Sequence, residues 1–246
     1  MRIGNRYGHT KVSPGARGII DELAEGRKII KELNSLLSVQ HNLIDCQPPE
    51  DSFYPQKLNY GINKANSSNL DMYFSIHFNN AYERYDGALG SEIWVYDRNS
   101  KLAIEKAAAI LKNLENLGFK NRGIKYLVGS GRSLGELENT NCEAMIIEVC
   151  FVEATKDVEI YKRAGVKNVA KAIADAFENK INKNLKYGTV TADILNVRNG
   201  RSISHDIIGE LKYGDKVRLC YLLNGWWSID YGKGVGYISG DFIRLL

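Results

Sequence analysis

Apolar positions along the first 180 residues switch between helical and strand-like spacing. In IIDELAEGRKIIKELNSLLS (19–38) they fall at 19, 23, 29, 30, 33, 36 and 37, a largely helical pattern. KLAIEKAAAILKNLENLGF (101–119) has the same character and stops at Gly118. A more polar helix is expected over 56–70, ahead of a strand at 71–77. GSEIWVYD (90–97) also reads as a strand, and AMIIEVCFV (144–152) is an apolar run broken by one carboxylate, as in a buried strand. Helical periodicity returns over 156–181 through Ile160, Val169, Ala172, Ile173, Ala176 and Phe177. This alternation predicts an α/β domain, with a central, mostly parallel sheet flanked by helices on both faces.

The texture changes after the polar stretch NKINKNLKYG (179–188). From there short strand-like runs are separated by turn signals at Asn199-Gly200, Asn224-Gly225 and Gly232–Gly236. The expected organisation is an α/β domain over 1–181, a linker at 182–187, and a small all-β barrel over 188–246.

Composition narrows the function. With 44% apolar and 25% charged residues the chain is ordinary for a globular protein. No window approaches the roughly 18 consecutive apolar residues of a membrane span, so no membrane insertion is expected. The start, MRIGNRYGHT, lacks the apolar region of a secretory signal peptide. The net charge of +4 is spread evenly, with no basic block, which argues against a nucleic-acid surface. Cys46, Cys142, Cys150 and Cys220 lie far apart without a C-x-x-C pair, so zinc-finger spacing is absent. Cys142 and Cys150 look like buried thiols, which fits synthesis in a reducing cytosol.

The chemistry concentrates in the first domain. The run YFSIHFNN (73–80) carries His77 where a strand gives way to a polar loop. Gly8 lets the chain turn and present His9, and Glu22 lies early in the next helix. Ligands gather outside the carboxyl ends of parallel strands. The three residues are therefore compatible with a two-histidine, one-carboxylate zinc site, although spacings of 13 and 55 residues are not specific. Glu148 interrupts the apolar run at 144–152, and a carboxylate buried there must be paired, protonated or functional. Two readings stand: an ion pair with Arg122, Lys125 or Arg132, or a general base beside a metal site.

GHT near the start, the glutamate of GIIDE, FSIHFNN, NRGIK (121–125) and IIEVCF together resemble the zinc-dependent N-acetylmuramoyl-L-alanine amidases of the Amidase_3 type, over nearly all of residues 1–180. The resemblance implies that His9, Glu22 and His77 bind zinc and that Glu148 is the catalytic carboxylate. It implies cleavage of the amide joining N-acetylmuramic acid to L-alanine in peptidoglycan. Thr10 after the first histidine, the poor strand IGNRY, and Cys142-Glu143 in place of a proline depart from the family's pattern. His41 matches nothing in it and reads as a surface loop residue.

TADILNVRNGRS, IIGELKYGDKV, NGWWSIDYGKGVGYIS and DFIRL resemble the bacterial Src-homology-3-like fold over 188–246. Such modules commonly bind the cell wall. One of Trp226 and Trp227 is expected in the core, and the other, with Tyr221, Tyr231 or Tyr237, offers a stacking surface. No signal peptide together with a wall-binding module suggests a phage or prophage endolysin, made in the cytoplasm and acting on the wall after release. Two alternatives carry different expectations: a cysteine-dependent wall peptidase using Cys142 or Cys150, and a non-catalytic wall-binding protein.

Overall fold

Met72, Phe74, Ile76 and Phe78 alternate with Tyr73, Ser75, His77 and Asn79. The computed structural model, which describes residues 1–178, 186–232 and 234–246, puts the two sets on opposite faces of one sheet. The chain divides into two units after Glu178. In the first, six strands form a single sheet: β1 (Arg2–Tyr7), β2 (Asn42–Asp45), β3 (Met72–Asn79), β4 (Ser91–Val95), β5 (Asn121–Tyr126) and β6 (Glu143–Phe151). Their order is β2-β1-β3-β6-β4-β5. The first four are mutually parallel, β4 runs antiparallel to β6, and β5 is parallel to β4.

One face is chiefly apolar. Phe74, Ile76, Ile93, Met145, Ile147 and Val149 pack there against α1 (Glu22–Leu37), α3 (Lys101–Asn116) and α6 (Val166–Ala174). The opposite face carries Tyr73, Ser75, His77, Ile146 and Glu148, and is partly covered by α2 (Gln56–Asn66) and the short α4 (Gly135–Glu138). Helices therefore lie on both faces, as the alternation implies, with the larger hydrophobic core on one face and a smaller one around Tyr73, Leu137 and Ile146 on the other. Beside that smaller core the same face carries Ser75, His77 and Glu148.

The differences from the sequence reading have local causes. The helix expected over 156–181 is broken at Gly165 (φ 75°) into α5 (Thr155–Ala164) and α6, and its last residues lie outside the described ones. IGNRY forms β1 at the heart of the sheet because distant groups satisfy its polar side chains. Asn5 Nδ2 donates to Asn34 Oδ1 at 2.7 Å, and Arg6 Nε lies 2.8 Å from Glu136 Oε1. His41 is a correction: it is buried, 8% exposed, with Nε2 3.2 Å from the Phe177 carbonyl, and burial pushes its pKa down to about 4.

In the second unit every strand pairing is antiparallel. Strands β7 (Lys186–Val190), β8 (Ile194–Arg198), β9 (Ile207–Lys212), β10 (Lys216–Leu223), β11 (Trp226–Tyr231), β12 (Gly234–Ser239) and β13 (Ile243–Leu245) line up as β13-β7-β10-β11-β12-β8-β9. Asn224 (φ 50°) and Gly225 (φ 80°) make the two-residue turn between β10 and β11, the positive-φ pair that a tight hairpin requires. Val190, Val197, Val217, Leu219, Trp227, Ile229 and Ile238 fill its core. Residues 182–185 of the expected linker lie outside the described residues, and β7 begins at Lys186. No helix among the described residues is long and apolar enough to cross a membrane.

Phe74 is fully buried and its ring stands 5.2 Å from that of Phe177. Phe74→Ala is expected to lower unfolding free energy by about 3–5 kcal/mol, the cost of a cavity in a close-packed core. Chemical denaturation checks this, and a loss below about 1 kcal/mol would contradict the packing described.

Candidate active site

Loops leaving the carboxyl ends of β1, β3 and β6 meet at one edge of the sheet. The turn after β1 carries His9. Gln47 Nε2 donates to the His9 carbonyl (2.9 Å), and the Thr10 hydroxyl donates to the Ser52 carbonyl (2.8 Å), so the polar residue at position 10 ties this turn to the 48–55 loop. Glu22 is the first residue of α1, whose N-cap Asp21 accepts from the Ala24 amide at 2.9 Å. Capping fixes where the helix begins, and hence where Glu22 points. His77 projects from β3 onto the polar face.

These three side chains converge. Glu22 Oε1 lies 3.1 Å from both His9 Nε2 and His77 Nδ1 and accepts the Phe78 amide at 3.0 Å, while Glu22 Oε2 accepts the Ala16 amide at 2.7 Å. One ligand atom from each residue lies within 4.8 Å of the others. Two glycines make the convergence possible. A Cβ on Gly8 would fall 1.9 Å from the His77 ring. A Cβ on Gly15, whose φ is +80°, would fall 2.4 Å from Glu22 Oε2 and 2.7 Å from His9 Nε2.

Charge follows the same geometry. Burial works to raise the Glu22 pKa, but hydrogen bonds and charge from His77 and His9 outweigh it and hold the carboxylate far below its usual range. Burial pulls His9 down and prevails there. Burial also pulls on His77, but the bond and charge of Glu22, with Glu148 and Glu136 beyond, carry it above the ordinary value. His9 Nδ1 lies 3.2 Å from the Ser13 carbonyl. Donation there leaves Nε2 as a lone pair facing Glu22 and His77, the tautomer a metal ligand needs.

Glu148 is the direct partner of His77 in the β3–β6 register, and Glu92 is its partner on the other side, in β4. Registered partners share a face, so His77, Glu148 and Glu92 stand in a row. The ion-pair reading of Glu148 fails. Arg122 Nε donates to Glu92 Oε2 at 2.7 Å, Lys125 Nζ donates to the Arg122 carbonyl, and the Arg132 guanidinium lies over the Trp94 ring. Glu148 Oε2 is buried with no hydrogen-bond partner. Burial pushes the Glu148 carboxyl up to about 7, against the pull of His77 and with Glu22 and Glu92 adding to the rise.

A cleft of about 420 Å³ opens beside His9 and His77, between α2 and α4. At its floor lies a network whose members are far apart along the chain. Arg6 pairs with Glu136, which also accepts from the hydroxyls of Tyr73 and Ser75; Arg6 donates to the carbonyls of Lys57 (2.7 Å) and Gly8 (3.0 Å). Burial works to raise Glu136, but Arg6 outweighs it and holds the carboxylate below its usual value. Lys57, buried in the cleft wall, has Nζ 3.1 Å from His9 Nδ1 and 3.2 Å from the Ser13 carbonyl, and burial pulls its pKa down. The signals were a charged residue at position 6 in a strand and another in α4, but nothing local marks them as partners.

The cysteines are not arranged for nucleophilic chemistry. Burial pushes Cys46 up to about 12, Cys142 up to about 11, and Cys150 well above its usual value, the reverse of an activated thiol. In the second unit Trp227 is buried in the core, whereas Trp226 is half-buried and lines a groove of about 380 Å³ with Ile203, Phe242 and Arg198. Tyr237 is half-buried under the Arg201 guanidinium, and Tyr231 packs on the core over Gly209. The tryptophan expected in the core is therefore Trp227, which leaves Trp226 to the groove, while Tyr231 is largely committed to packing.

Residues 6–179 match the model of the N-acetylmuramoyl-L-alanine amidase family. The chain belongs to that family. Residues 193–244 match the bacterial SH3 domain. An uncharacterized protein of Clostridium perfringens (strain 13 / Type A) is 38% identical over 237 residues, covering 89% of this chain and 68% of that protein. Among solved structures, the catalytic domain of an endolysin targeting Clostridia Difficile superposes on the amidase unit with a TM-score of 0.62 at 25% identity, covering 73% of this chain and 98% of that one. The N-acetylmuramoyl-L-alanine amidase AmiC2 of Nostoc punctiforme gives a TM-score of 0.62 at 22% identity, covering 74% and 98%. Amidases of this family are typically metal-dependent. The converging donors of His9, Glu22 and His77, the glycine cradle around them, and the unpartnered Glu148 Oε2 at their side fit a bound divalent cation.

Gly15→Ala tests that cradle. The methyl group would press on Glu22 and His9 at a backbone conformation that alanine resists. The variant is expected to fold but to bind metal about 10-fold or more weakly, as read by competition with a chelator. Unchanged affinity would show that the loop gives way without disturbing the donors.

Proposed function

We propose that the amidase works as a zinc enzyme on the bond between the lactyl group of N-acetylmuramic acid and the L-alanine of the stem peptide, with His9, Glu22 and His77 as ligands. The observation that carries this reading is the row His77–Glu148 beside Glu22 and His9. It sets an unpartnered carboxyl next to a donor set of two imidazoles and one carboxylate. That set with an open position is the usual catalytic zinc arrangement. Zinc held there would supply Lewis acidity, acidifying a water and polarising the scissile carbonyl.

Glu148 serves as the base and then the acid. It takes a proton from water as the water oxygen attacks the carbonyl carbon, and it returns that proton to the alanine nitrogen as the carbon–nitrogen bond breaks. The products are a free lactyl carboxyl and a free amine. A carboxyl held near 7 by burial suits both roles, because it gains and loses a proton at little cost near neutrality. The cleft between α2 and α4 receives the peptide side of the substrate.

The proposed organisation is a catalytic domain over 1–181, a linker at 182–187 and a wall-binding domain over 188–246. Trp226 and Tyr237 supply the aromatic surface of the last. The likeness to an endolysin catalytic domain supports a phage-type enzyme that reaches the wall after release from the cell that made it.

Ligand and base separate by mutation. His77→Ala is expected to lose the metal, whereas Glu148→Gln keeps it and drops turnover by roughly 100-fold or more. In the parent enzyme Glu148 is protonated below its pKa and ionised above it, so kcat/KM rises with pH through an acid limb at about 7 or, since a bound dication draws the value down, somewhat lower. The limb vanishes in Glu148→Gln. Stoichiometric zinc in His77→Ala, or near-normal turnover in Glu148→Gln, would overturn these assignments.

The tail is tested by truncation. Residues 1–184 should cleave a soluble muropeptide about as well as the whole chain but lyse intact walls far more slowly, because tethering raises local concentration by up to about 100-fold. Residues 186–246 alone should sediment with purified walls. A tail that stays in the supernatant, beside a truncated enzyme that lyses walls at full rate, would reduce it to a spacer.

A further inference from the structure

Lys57 has no role in the mechanism above, yet its placement is costly. It is 7% exposed and lines the cleft beside His9. Its ammonium donates to the Ser13 carbonyl, and His9 Nδ1 donates to the same oxygen, whose two lone pairs can serve both. Lys57 Nζ and His9 Nδ1, 3.1 Å apart, are then two donors sharing one acceptor and form no bond with each other. The other charges around the cleft are accounted for. Arg6 is paired with Glu136, Glu138 accepts from Ser133, and Glu22 is held by both histidines. Among the described residues no carboxylate forms an ion pair with Lys57. Glu22 and Glu136 act on it only from beyond ion-pair distance and are themselves committed to other partners, so a buried cation on the wall of a cleft is left to be paired by a carboxylate that enters.

The entering group is set by the substrate. The peptide side of the scissile amide begins with L-alanine, which brings a small methyl group and no charge. The residue after it, glutamate joined through its side chain, carries a free carboxylate. The cleft offers Leu58, Leu134 and Ile146 as an apolar wall and Lys57 as the cation beside the metal ligands. We propose that Lys57 is a specificity-determining residue whose ammonium binds the free carboxylate of the second stem-peptide residue, selecting acidic over amidated stem peptides. This rests on the amidase reading of the site and adds the chemistry that it recognises.

Two muramoyl tripeptides that differ only in whether that carboxyl is free or a carboxamide distinguish the outcomes. The full-length metal-loaded enzyme is expected to prefer the free acid by about 10-fold or more in kcat/KM, expressed in KM, since a charge-assisted hydrogen bond made equally in ground and transition states changes binding and not turnover. Lys57→Met should collapse the preference to within about twofold, and Lys57→Arg should restore part of it. Metal content and thermal unfolding are measured for both variants. A parent enzyme that cleaves both substrates without preference overturns the proposal while leaving the amidase reading standing. Equal losses on both substrates in Lys57→Met, with or without loss of metal, would make Lys57 a prop for His9 and also overturn it. Cleavage of neither substrate by the parent enzyme removes the amidase reading, and this one with it.

Discussion

Glu22 ties together three segments that the sequence keeps apart. Its two oxygens hold the turn after β1 through His9 and the Ala16 amide, and the end of β3 through His77 and the Phe78 amide, while its backbone opens α1. A single buried carboxylate that accepts from two backbone amides and His77, with His9 against its other side, is a strong constraint, because losing any one donor leaves charge unsatisfied in a place water reaches poorly. The three side chains that meet here, His9, Glu22 and His77, are also those that would hold a metal. Here the site is part of what holds the edge of the sheet together.

The register between β3 and β6 does comparable work for Glu148. Two adjacent parallel strands fix which residues face one another, and that pairing sets Glu148 beside His77. The alternation that sends Phe74 and Ile76 into the core sends His77 and Glu148 the other way. One face thus contributes stability while the other carries polar and charged groups whose burial is compensated only locally.

Long apolar segments were legible in the sequence because their pattern is local. The helices at 22–37 and 101–116 and the strands at 72–79 and 143–151 follow from spacing alone. The polar strands β1, β2 and β5 did not stand out, because their side chains are satisfied from far away: Arg6 by Glu136, Asn5 by Asn34, and Arg122 by Glu92. A charge in a strand reads as a defect until its partner is seen. The same holds at the site. His77 and Glu148 were visible as polar residues in apolar company and His9 by the glycine before it, whereas Lys57 sits in a polar helix and gives no signal until α2 is folded against His9. In the tail, parity of a strand decides between neighbouring tryptophans, with Trp227 inward and Trp226 toward the groove.

The state of the four thiols has a consequence for durability. All are free, and burial raises the pKa of each, leaving little thiolate at neutral pH. No cross-link contributes to the fold, so nothing is lost in a reducing compartment. No activated sulfur awaits an oxidant, so little is lost in an oxidising one. The fold therefore does not depend on the redox state of its surroundings for a covalent tie.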